Sequence, residues 1–96
     1  MIVNFKNKEA QELRVPQLIV LYELKNKSSE FMFNIAKEYG MTDYTVSKTC
    51  ARLSNSGYNN NTTKGLGYIE SKIYGRTREL KLTEKGKALV DKIFIN

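Results

Sequence analysis

The stretch NIAKEYGMTDYTV, residues 34–46, limits what this chain can fold into more than any other. Ile35-Ala36 is followed by Gly40 four residues after the alanine, then at once by Met41, and Val46 comes six residues after the glycine. Two helices that cross at a tight turn need this pattern. The residue at the crossing must be small, the turn favours glycine because positive φ costs it nothing, and apolar side chains must plug the angle. Thr42 is a good N-cap, and Asp43 puts negative charge where the helix dipole favours it. The spacing therefore predicts one helix stopping at Gly40 and a second from Thr42 to Ser56, ended by Gly57: a helix-turn-helix. With Val46 inward, Cys50, Leu53 and, less centrally, Thr49 take the buried face, while Tyr44, Ser47, Lys48, Ala51, Arg52 and Asn55 face outward or flank it. Cys50 then reads as a small core residue rather than a reactive thiol.

The flanks supply more elements. Pro16 suits a first helical turn, and PQLIVLYELKNK after it is apolar around its circumference, as a helix buried on several sides must be. Ser28 or Ser29 is placed to cap the next helix, in which Phe31, Met32, Ile35, Ala36 and Tyr39 keep helical spacing. LGYIESKIYGRTRELKLT predicts two strands with Gly75-Arg76 as the central pair of a two-residue turn. That register sets Lys72 opposite Glu79 and Glu70 opposite Lys81 on one face. Ile69 then meets Leu82, Ser71 meets Leu80, and Ile73 meets Arg78 on the other. Thr83 caps a last helix, EKGKALVDKIFI, with Leu89, Val90, Ile93 and Phe94 as its apolar stripe.

Composition narrows the function. The chain has 96 residues, one cysteine and no histidine. It is long enough for one domain, has no internal disulfide, and lacks the usual zinc ligand sets and the commonest general base near neutral pH. No paired carboxylates, phosphate-binding glycine loop or nucleophile elbow is present, so neither an enzyme nor a cofactor is expected. No apolar run reaches membrane-span length, and the start lacks the apolar stretch of a secretion signal; the expected location is the cytoplasm, at the nucleoid. The formal net charge is +6, which attracts phosphate polyanions. From Lys64 onward basic residues outnumber acidic ones two to one.

The order helix, helix, tight turn, helix, hairpin, helix makes a mainly α fold with a small β-hairpin. This is a winged helix-turn-helix, a three-helix core plus wing and C-terminal helix, in a single domain over residues 1–96. NIAKEYGMTDYTVSKTCARLSNSGY followed by YIESKIYGRTRELKLTEKGKAL resembles the winged helix-turn-helix domain of MarR-type regulators, across about residues 16–92. The wing tip, YGRTR, and the last helix are shorter than the family pattern. The resemblance implies a double-stranded DNA partner and a homodimeric transcriptional regulator, with no effector assigned. Residues 1–15 are a candidate dimer contact. A helix placed in the major groove would present Thr42, Asp43, Tyr44, Thr45, Ser47 and Lys48 to base edges or nearby phosphates and Arg52 to phosphate. Lys64, Lys72, Arg76 and Arg78 complete the DNA-facing set, the two arginines at the wing tip reaching backbone or minor groove. Ser56-Gly57-Tyr58 and Leu66-Gly67-Tyr68 duplicate one joint between helix and wing, so residues 59–66 read as an inserted polar loop, which surface positions tolerate. Two alternatives share the layout: a plasmid-partition or architectural DNA-binding adaptor, and a winged helix that binds protein.

Overall fold

The computed structural model describes residues 1–54 and 65–95. Five helices and three strands follow in the order α1 (Lys8–Glu12), α2 (Val15–Lys27), β1 (Ser29–Phe31), α3 (Met32–Tyr39), α4 (Asp43–Leu53), β2 (Ile69–Tyr74), β3 (Thr77–Leu82) and α5 (Glu84–Ile93). The described residues are thus mostly helical with a small antiparallel sheet, a winged helix-turn-helix. The core lies where α2, α4, α5 and the inner face of the sheet meet, around Leu21, Leu24, Ile35, Val46, Leu53, Ile69, Leu80, Leu89 and Ile93, all buried.

The helix-turn-helix forms for the reasons its spacing gives. Ile35 and Ala36 are buried, and the N–H groups of Gly40 and Met41 both donate to the Ala36 carbonyl. Gly40 has φ 64° and open space around a would-be Cβ, so the turn needs glycine for its backbone conformation alone. Thr42 Oγ1 accepts the Thr45 N–H at 3.1 Å and opens α4. The hairpin has the predicted register throughout, from Ile69 opposite Leu82 to Tyr74 opposite Thr77, with positive φ at Gly75.

Several expectations are corrected. The sheet has three strands, because Ser29–Phe31 pairs with β3 along Ser29↔Lys81, Glu30↔Leu80 and Phe31↔Glu79. Neither serine caps a helix: Ser28 closes α2 with φ 65°, Ser29 enters the strand, and Phe31 leaves the helical stripe. The free edge of β3 competes for this segment, and ladder hydrogen bonds win over local capping. Helix α4 ends at Leu53 rather than at Ser56. The carbonyls its last turn leaves open are taken by the returning chain: Leu66 N–H donates to Arg52, Tyr68 to Leu53 and Gly67 to Ser54. Leu66 therefore packs with the body instead of belonging to the loop. Gly57, Tyr58, Asn59 and Lys64 lie outside the described residues. Helix α5 ends at Ile93, because Phe94 bridges to Val3 and Ile95 N–H bonds to the Ile2 carbonyl. The two termini pair with each other.

Sequence patterning also missed a buried acid. Glu23 on α2 is only 4% exposed, accepts a hydrogen bond from the Tyr39 hydroxyl, and holds Lys27 Nζ at 2.9 Å. Lys27 further reaches Glu30 and Glu38, each at 3.3 Å. This cluster ties α2 to α3. The bond to Glu23, then burial, pushes the Tyr39 hydroxyl from its ordinary 10.0 up to about 12. The carboxylates also hold Lys27 above its usual range, Glu23 foremost. Both folded-state values are raised, so the stabilisation is complete below pH 10; the Tyr39 share is lost as pH rises through about 12, and the Lys27 share at still higher pH. Denaturant unfolding at pH 8 and pH 11 checks this: wild type loses stability between them, and Tyr39→Phe loses less.

Candidate nucleic-acid interface

The first turns of α4 stand at the molecular surface. Tyr44 is 63% exposed, and Thr42, Asp43, Ser47 and Lys48 are exposed with it. Lys48 Nζ lies 5.8 Å from the centre of the Tyr44 ring, one helical turn away, so the ammonium rests over the aromatic face. Thr45 is only half-buried, but its hydroxyl and N–H are both engaged by Thr42, giving it a structural task in the cap. The opposite side of α4 carries Val46, Thr49, Cys50 and Leu53 into the core. Burial pushes the Cys50 thiol up to about 12, with the Arg78 charge pulling weakly the other way. An un-ionised, buried thiol fits packing rather than chemistry.

Register puts Arg78, opposite Ile73, on the same face of the wing as Leu80 and Ser71. Arg78 is exposed and donates to Ser71 Oγ at 3.2 Å across the hairpin, leaving other guanidinium donors outward. Arg76 occupies the turn. It borders a cleft floored by Met32 and Val46 and edged by Phe33, Asp43 and Ser47. The start of the helix and the tip of the wing thus flank one concavity, with donors on both sides. Lys72 is elsewhere: strand alternation sends it to the outer face, opposite Glu79 and over the Tyr74 ring at 5.5 Å. Arg52 sits in the last turn of α4, where it lines a hollow with Glu9 and Glu12 of α1. Lys64 lies outside the described residues. The predicted residues therefore divide. Thr42, Asp43, Tyr44, Ser47, Lys48 and Arg76 share one side, Arg78 lies on the wing face away from Lys72, and Lys72 and Arg52 are displaced from the centre.

Two residues at this surface were not foreseen. Phe33 is 59% exposed beside the cleft, and Thr77 Oγ1 accepts its backbone N–H at 3.3 Å. The signal for Phe33 was available, since it is the aromatic that falls outside the helical stripe of its segment. Thr77 had no such signal, because its partner is 44 residues away.

No protein-family model matches the chain, and no curated protein matches it. Among solved structures it is similar to a MarR family regulator from Neisseria meningitidis, at 30% sequence identity and a TM-score of 0.66. The match covers 85% of this chain and 53% of that one, so the chain spans about half the length of that regulator.

Proposed function

We propose that this chain, whose fold is the MarR-type winged helix-turn-helix, binds double-stranded DNA as a dimeric transcriptional regulator. Helix α4 enters the major groove, and the wing rests on the backbone or the neighbouring minor groove. The observation that carries this reading is that Asp43 and Ser47 of α4 and Arg76 of the wing tip border one cleft, with Tyr44 and Lys48 exposed on the same first turns of the helix. A helix start offers base-reading side chains of suitable length there, and the arginines offer phosphate anchors. Function at the nucleoid, in the cytoplasm, goes with this reading.

Dimerisation draws support from the paired termini, which leave Ile2, Phe5 and Ile95 exposed close to one another along the chain ends. Two copies would read half-sites one or more helical turns apart. Sedimentation at micromolar concentration is expected to give a dimer; a monomer there counts against this part of the proposal.

Selection of bound genomic fragments tests the whole. A single enriched operator supports regulation, and clustered repeats would move the reading to a partition adaptor. Failure to shift any duplex at low salt would overturn DNA binding and favour a protein partner.

A further inference from the structure

We infer that Thr77 is a positioning residue for the wing: its hydroxyl completes the N-terminus of α3 from across the sheet and thereby fixes the Gly75-Arg76 tip beside α4. The inference deepens the DNA-binding reading and rests on it for one of its two readouts.

The reasoning begins with a missing cap. Helix starts leave backbone N–H groups without partners, and a side chain at the N-cap usually takes one. Phe31 holds that position in α3 and has no side-chain acceptor. The Glu30 carboxylate accepts the Phe31 N–H at 2.8 Å, and the Phe33 N–H turns to Thr77 Oγ1 instead. The cap therefore comes from β3.

Its place in the ladder gives it a second effect. Strand β1 pairs with β3 only as far as Phe31↔Glu79 and then turns into the helix. Beyond Glu79, β3 has a strand partner on one side only, and a two-stranded ribbon alone is marginally stable. The Thr77 hydroxyl bonds to the body two residues past that last pair, and the Phe31 and Tyr74 rings meet edge-to-face at 6.1 Å alongside. These links set the tilt of the tip, so the distance between Arg76 and the start of α4 is defined before any DNA arrives.

Thr77→Val keeps the shape and strand preference and removes the acceptor; Thr77→Ser retains it. Hydrogen exchange of the Phe33 amide should quicken about tenfold in Thr77→Val and return towards wild type in Thr77→Ser. Affinity for a selected duplex should fall about fivefold in Thr77→Val, with a shallower salt dependence. In an Arg76→Ala background the same change should cost nothing further, because the side chain it positions is gone. Unchanged Phe33 exchange, or an equal loss of affinity with and without Arg76, would overturn the inference. The exchange readout needs no DNA. If wild type binds no duplex while Phe33 still quickens, DNA binding fails and the cap stands.

Discussion

Replacing Gly86 by alanine lowers the stability of this domain by about 3 kcal/mol, the upper end of ordinary overpacking costs. Intrinsic preference points the other way, since alanine in a helix is favoured over glycine by about 1 kcal/mol. Space decides the sign. A Cβ on Gly86 would lie 1.9 Å from the Tyr68 carbonyl oxygen and 2.9 Å from its carbon, and these are backbone atoms that cannot rotate away. The chain at Tyr68 is also pinned. Its carbonyl accepts the Thr83 N–H at 3.0 Å, its N–H donates to Leu53, and Thr83 Oγ1 donates to the Gly67 carbonyl at 2.7 Å. Relief of the clash must therefore push α5 outward or pull Tyr68 from the end of α4. A thermal midpoint lowered by on the order of 15 °C is the measurable consequence. Lys87→Ala is the control. Lys87 is exposed and, among the described residues, holds a surface pair with Glu84, so its midpoint should barely move. A Gly86→Ala protein as stable as wild type would mean that α5 does not approach Tyr68 this closely.

Gly86 also marks how much of the molecule its sequence disclosed. The glycine lies in LTEKG, a segment that resembles the family pattern, yet its reason is a close approach that no local period encodes. Features governed by local rules were legible: the Gly40 turn, the Thr42 and Thr83 caps, and every pair of the β2–β3 register, where two charge pairs and an apolar face fix one alignment. Features decided by distant partners were not. Ser29–Phe31 looked like a helix start until the open edge of β3 drew it into the sheet. Helix α4 stopped early because the returning Leu66–Tyr68 segment took its last carbonyls. Glu23 stood in an apolar run and drew no notice, although Tyr39 and Lys27 had to be nearby for it to be buried. At the candidate site, helical period alone put Tyr44, Ser47 and Lys48 on the surface. The departure of Lys72 from that side follows from strand alternation, which the predicted register already contained.

The division between α4 and the wing appears most sharply in salt titrations of paired variants. If Arg76 and Arg78 are phosphate anchors, as proposed, Arg76→Ala/Arg78→Ala removes two of them, so the slope of log affinity against log salt should become shallower by about 1.8. At 0.1 M salt that corresponds to roughly 60-fold weaker binding, spread evenly over cognate and unrelated duplexes, because phosphates carry no sequence. Tyr44→Ala/Ser47→Ala should do the reverse. Neither side chain carries charge, so the slope stays near wild type while discrimination against a mismatched operator falls by about 1–3 kcal/mol for each well-made base-edge interaction removed. Lys48 stands between the two classes. Its ammonium lies over the Tyr44 ring, so Tyr44→Ala also frees it to move, and Lys48→Ala on that background should add less than it does alone. Stability should confound little: all four side chains are exposed, and the Arg78 bond to Ser71 lies at the surface, with a thermal melt of each variant as the check. If the wing variant changes base preference, or the α4 variant changes only the slope, the groove and backbone assignments are exchanged. If neither changes either quantity, this side of the molecule does not face DNA.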